Sequence, residues 1–130
     1  MKIVFLIDDD QDDREIFEES LLSLDVSVKF EQASNGQEAL GKLNAPGFKK
    51  PDLIFLDINM PIMDGWQFLK YIKQDKNFSD IPVIIYSTSS SQEDEEFAFR
   101  NNASEFITKP YSISNLREEL EKTITNFLSA

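Results

Sequence analysis

Five short apolar runs punctuate the chain: KIVFLI from Lys2, VSVKF from Val26, LIFLD from Leu53, VIIYS from Val83 and EFITK from Glu105. Each is rich in β-branched or aromatic residues and too short for a helix, so each predicts a strand. Between them, hydrophobic positions recur at helical spacing. Phe17, Leu21 and Leu24 share one face; Ala39, Leu40 and Leu43 share another, after the turn signal Asn35-Gly36. Phe68, Leu69 and Ile72 follow Gly65, and Ile113, Leu116, Leu120, Ile124 and Phe127 form the clearest stripe. Residues 92–101 predict a weaker helix, with Phe97, Ala98 and Phe99 set among four acids.

Strand and helix thus alternate five times. Parallel strands need crossover connections, so the pattern predicts an α/β fold: a doubly wound, five-stranded parallel sheet with helices on both faces. LIFL and VIIY lack polar alternation, as strands buried on both sides do. Ligands of such sheets gather where the loops leave the carboxyl ends of the strands. At those ends stand Asp8 and Asp9, then Asp57, then Ser87 and Thr88, then Lys109-Pro110. Carboxylates, hydroxyls and an ammonium are expected on one rim.

Length and charge narrow the picture. The 130 residues suffice for one domain with a proper core. A formal net charge of −11 repels phosphate backbones and anionic lipid, which argues against nucleic-acid and membrane partners. Cysteine is absent, so neither a disulfide framework nor a thiolate metal site is available. No apolar run has the length of a membrane span, and IVFLI is followed by acid rather than a cleavage site, so the expected location is cytoplasmic.

The concentration of acid in FLIDDDQDD has three readings. Asp12 with Glu15 has capping-box spacing, and acids in a first turn suit the helix dipole; this covers Asp12 and Asp13 but not Asp8 and Asp9. Asp8, Asp10, Asp12 and Glu19 match four ligand positions of a calcium loop, but Asp13 stands where that loop needs glycine and Glu15 where it is usually apolar. A magnesium site shared between strand ends is the third: Asp9 and Asp57 supply carboxylates, Asp8 holds a bound water, and mutual repulsion raises affinity for the cation.

LIDDD, LIFLDINMPIMDG, PVIIYSTSS and FITKP, in this order and spacing, closely resemble the receiver domains of two-component response regulators. The resemblance spans essentially the whole chain and implies a flavodoxin-like receiver fold, with residues 1–130 forming a single receiver without an output domain. It implies that Asp57 accepts a phosphoryl group from a sensor histidine kinase or a histidine phosphotransfer protein. Asp9 and Asp57, with the backbone carbonyl of Asn59 and Asp8 through water, would hold Mg2+, with Mn2+ as a substitute. Lys109 would pair with the phosphoryl group, aimed by a cis peptide at Lys109-Pro110. Ser87, with Thr88 beside it, and Phe106 would form the switch. Asp10 has no role in this scheme and reads as a solvated neighbour.

The implied function is signalling by contact with a downstream protein the sequence does not name, or by onward phosphotransfer. At most slow self-dephosphorylation is expected, not turnover catalysis. The alternative is a receiver-like binding module that works without phosphorylation. A haloacid-dehalogenase-like phosphatase would want an aspartate at Asn59, and a flavodoxin would want a phosphate cradle where the aspartates stand. Two features depart from the family pattern. Glu95, Glu96 and Asn101 make the fourth helix unusually polar, and Asn102 stands where glycine is usual after it, a position asparagine tolerates.

Overall fold

The computed structural model describes residues 1–60 and 63–128. Pro61 and Ile62, within the LDINMPIMDGW block, lie outside the described residues. The strands are β1 (Lys2–Ile7), β2 (Val28–Ala33), β3 (Leu53–Leu56), β4 (Val83–Ser87) and β5 (Glu105–Thr108). The helices that alternate with them are α1 (Gln11–Leu22), α2 (Gly36–Leu43), α3 (Gly65–Gln74), α4 (Gln92–Arg100) and α5 (Ile113–Leu128). All strand pairs are parallel, in the order β2-β1-β3-β4-β5. The expected doubly wound α/β fold is present.

Strand alternation explains the two cores. Phe5, Ile7, Ile54, Leu56, Val83 and Ile85 point to one face, where Ala39, Leu43, Phe68, Leu69, Ile72 and Ala98 bring α2, α3 and α4 onto the sheet. Val4, Leu6, Leu53, Phe55, Ile84 and Tyr86 point to the other, under Phe17 and Leu21 of α1 and Leu116, Leu120 and Ile124 of α5. All four residues of β3 are buried, as the unbroken apolar run LIFL predicts. Phe17 sits edge-on to Phe55 and Tyr86, with ring centroids 5.0 and 5.5 Å away. Each such fully buried ring contributes about 1.5–3 kcal/mol over an exposed one.

Three local details differ from or refine the sequence reading. Strand β2 runs from Val28 to Ala33 instead of starting at Val26, because its partner β1 fixes the register from Lys2↔Val28 to Ile7↔Ala33. Helix α1 is capped by Asp10, not by Asp12: Asp10 Oδ1 accepts the Asp13 N–H at 3.1 Å, and Asp12 already lies inside the helix. Asp10 is therefore a capping residue rather than a bystander, and an α-helix occupies the stretch that a calcium loop would need. The Asn102 backbone has φ 70°, the left-handed conformation expected of it after α4.

The start of α3 is built by close approach. Asp64 and Gln67 form a capping box, and Gly65 follows as the first helical residue. A Cβ at Gly65 would stand 2.5 Å from both Asp57 O and Ile58 Cα, so only glycine lets α3 begin directly against the end of β3.

Candidate functional site

Register brings the acids together. Ile7 pairs with Leu56, so the next residues, Asp8 and Asp57, leave adjacent strands at one level. Both are pinned by ladder bonds that continue past the strands: the Asp8 N–H donates to Ala33 O at 3.1 Å and the Asp57 N–H to Ile7 O at 2.9 Å. This is the switch point of the sheet, where neighbouring strands lead to helices on opposite faces.

Alternation then decides which side chains meet. Asp8 is in phase with Val4 and Leu6, and Asp57 with Leu53 and Phe55, so both turn toward the α1–α5 face. Lys109 is in phase with Ile107 on that same face, and its N–H donates to Ser87 O at 2.7 Å. Lys109 Nζ lies 2.8 Å from Asp8 Oδ2, 2.7 Å from Asp13 Oδ2 and 3.5 Å from Asp57 Oδ2. Ser87 and Phe106 share the opposite face, in phase with Ile85. Ser87 is buried and its Oγ accepts the Ser89 N–H at 3.2 Å; Phe106 is half-buried; Thr88 and Asn59 are exposed on the rim.

The cis peptide expected at Lys109-Pro110 is absent: no described peptide bond is cis. The trans form is the lower-energy state of an X–Pro bond by about 0.5–1 kcal/mol. Strand phase already aims Lys109 at the carboxylates, so nothing in the geometry requires the other isomer.

The electrostatics follow from burial. Asp8 has no exposed surface. Burial pushes its pKa up from 3.8 to about 6, and the Asp57 charge adds to this, while Lys109 and the Asp10 N–H oppose it. Asp57 is raised for the same leading reason, with the Asn59 N–H, 3.1 Å from Oδ1, and Lys109 opposing. Burial disfavours the Lys109 ammonium, but its bonds to Asp13 and Asp8 outweigh that and hold it firmly protonated. The ion pair is thus real, yet it does not fully compensate Asp8. The ammonium sits between Asp13 Oδ2 at 2.7 Å and the buried Asp8 Oδ2 at 2.8 Å, so its charge is shared between them.

The feature that fits a cation is the close approach of three carboxylates. Asp8, Asp9 and Asp57 each offer a carboxylate oxygen, all within 4.8 Å of one another, with Asp9 on the exposed side. An all-oxygen, anionic, half-open group suits a hard divalent ion that keeps several waters.

Two neighbours escaped the sequence reading. Asp13, read only as a first-turn acid, touches Lys109. Arg14 Nη1 donates to Asp8 O at 2.7 Å and Nε to Gln32 Oε1 at 3.0 Å, so α1 grips the loop carrying the acids. Strand phase was the available signal: it turns Lys109 toward α1, whose first turn carries Asp13.

Comparison with known proteins gives concordant results. The response regulator receiver domain model matches residues 4–121. The chain is 34% identical over 122 residues to the sensor histidine kinase CheAY of Helicobacter pylori, covering 94% of this chain but 15% of that protein. The phosphorylated cyanobacterial phytochrome response regulator RcpA is similar in structure, with a TM-score of 0.90 and 30% identity over 98% of this chain and 94% of that one. The chemotaxis protein CheY4 of Vibrio cholerae gives a TM-score of 0.83 and 28% identity over 98% and 99%.

Proposed function

Since this chain belongs to the response regulator receiver domain family of two-component signalling, we propose that Asp57 is its phosphoacceptor and that a histidine kinase or histidine phosphotransfer protein is its donor. An Asp57 carboxylate oxygen attacks the phosphorus of the donor's phosphohistidine. The P–N bond breaks, its electron pair returns to the imidazole, and an aspartyl phosphate remains. The observation that carries this reading is the convergence of Asp57 with Asp8, Asp9 and Lys109 at one end of the sheet.

Each residue has a task that its position supports. The Asn59 N–H orients Asp57 through Oδ1, leaving Oδ2 toward Lys109. Lys109 supplies positive charge beside the phosphoryl oxygens. Mg2+, or Mn2+ in its place, held by Asp9, Asp57 and the Asn59 carbonyl with Asp8 behind a water, would neutralise charge on the transferring group. Ser87 turns its hydroxyl toward the new phosphoryl oxygens and Phe106, on the same face of the next strand, follows it. Residues 1–130 act as one receiver that signals by protein contact or onward phosphotransfer, with at most slow self-dephosphorylation. No described helix is long and apolar enough to cross a membrane.

The test is incubation with acetyl phosphate and magnesium, read by intact mass spectrometry. One added phosphoryl group is expected, lost in Asp57→Ala and in EDTA. Equal labelling of Asp57→Ala would reject the assignment.

A further inference from the structure

Among the described residues Lys109 pairs with three carboxylates, and they are not equivalent. Asp8 and Asp57 belong to the group that could hold a cation; Asp13 does not. Yet Asp13 makes the shortest contact, 2.7 Å, and receives the hydrogen bond of the ammonium, while Asp57 stands at 3.5 Å. Asp13 is held in place from behind, because its own N–H is bound by the helix-capping Asp10. The Asp13 side chain is 34% exposed against 7% for Asp57, so the lysine is drawn toward the outer edge of the site.

A phosphoryl group on Asp57 brings oxygens with two negative charges to the inner side of Lys109. The ammonium has to serve them with the donors it now gives to Asp13 and Asp8. We propose that Asp13 is a resident counter-anion that competes with the phosphoryl group for Lys109 and thereby weakens the closed, phosphorylated form of the site. This rests on the assignment of Asp57 as phosphoacceptor. Asp13 is a positioning residue: it acts through Lys109 and is not one of the three acids grouped to hold a cation. Its effect is to keep the unmodified and modified states close in free energy, as a reversible signal requires.

The experiment measures affinity for beryllofluoride, a phosphoryl mimic, at fixed magnesium by fluorine NMR, with wild type, Asp57→Ala, Asp12→Asn, Asp13→Asn, Asp13→Ala and Asp13→Glu. Asp12 is the control, because it loses the same charge from the same exposed turn but forms no ion pair with Lys109. Asp13→Asn and Asp13→Ala should bind about five-fold more tightly than Asp12→Asn, the effect of a partly exposed ion pair. Asp13→Glu, which keeps a carboxylate within reach of Lys109, should stay within about two-fold of wild type. Equal affinity of Asp13→Asn, Asp13→Ala and Asp12→Asn would overturn the role of Asp13 and leave the phosphoacceptor assignment intact. Equal binding by wild type and Asp57→Ala would overturn both.

Discussion

Replacing Asp8 by asparagine should stabilise the cation-free protein. Asp8 is fully buried, and its pKa rises from 3.8 to about 6 on folding. A rise of that size puts the cost of keeping Asp8 ionised at neutral pH at about 3 kcal/mol. Asparagine removes that charge and keeps the Oδ1 acceptor that binds the Asp10 N–H at 2.9 Å. Its Nδ2 would face the Lys109 ammonium, a donor against a donor, which takes back about 1–2 kcal/mol. The net gain should be about 1–2 kcal/mol, read by urea unfolding in EDTA at pH 7.5. The sign of the pH dependence is fixed by the direction of the shift. A carboxyl whose pKa is higher when folded penalises the fold above that pKa and stops doing so as it protonates. The advantage of Asp8→Asn should therefore be full above pH 6 or so and vanish toward pH 4. A variant no more stable than wild type at pH 7.5, or an advantage independent of pH, would refute the reasoning.

Other expectations follow from the same geometry. Asp9 is exposed, so Asp9→Asn should gain within about 0.5 kcal/mol in EDTA. Magnesium at ten times its dissociation constant should stabilise wild type by about 1.4 kcal/mol and do little for Asp9→Asn; equal magnesium responses would remove Asp9 from the cation site. Gly65→Ala should cost about 2–3 kcal/mol and slow phosphorylation, because the new Cβ meets Asp57 and Ile58 backbone at 2.5 Å; an unchanged unfolding midpoint would count against that contact. Helix α4 buries only Ala98 fully and leans on Trp66 through Phe97, rings 4.8 Å apart, so its amides should exchange faster than those of β3 and slow with beryllofluoride. Protection of α4 equal to that of β3 in the unmodified protein would sink this.

The strands β1, β3 and β4 were legible because burial of central strands writes itself as short β-branched runs, and the edge strand β5 because Phe106 and Ile107 stand between polar residues in a short run. The rim was legible too, because parallel strands all deliver their ends to one side. What escaped was decided by spatial partners. Strand β2 is an edge strand whose limits come from β1, so Val26 misled. The helix cap fell to Asp10 because the turn after β1 is two residues shorter than the Asp12–Glu15 spacing suggested. Burial separates Asp8 from Asp9 although they are neighbours in a run of identical residues: alternation turns one inward against Lys109 and the other to solvent. The repulsion expected among Asp8, Asp9 and Asp57 is tempered by that lysine, and burial rather than repulsion makes Asp8 the costly carboxylate of the three.

The central claim is that Asp57, and no other acid of this crowded rim, takes the phosphoryl group. An acyl phosphate is reduced by borohydride to the alcohol, which marks the modified aspartate as homoserine through later digestion. Phosphorylated protein should be trapped in this way and its peptides mapped by tandem mass spectrometry. Homoserine at position 57, dependent on magnesium and absent without the phosphodonor, is the expected result. Homoserine at Asp8, Asp9 or Asp13 instead, or none under conditions that add a phosphoryl group to the intact protein, would contradict the account.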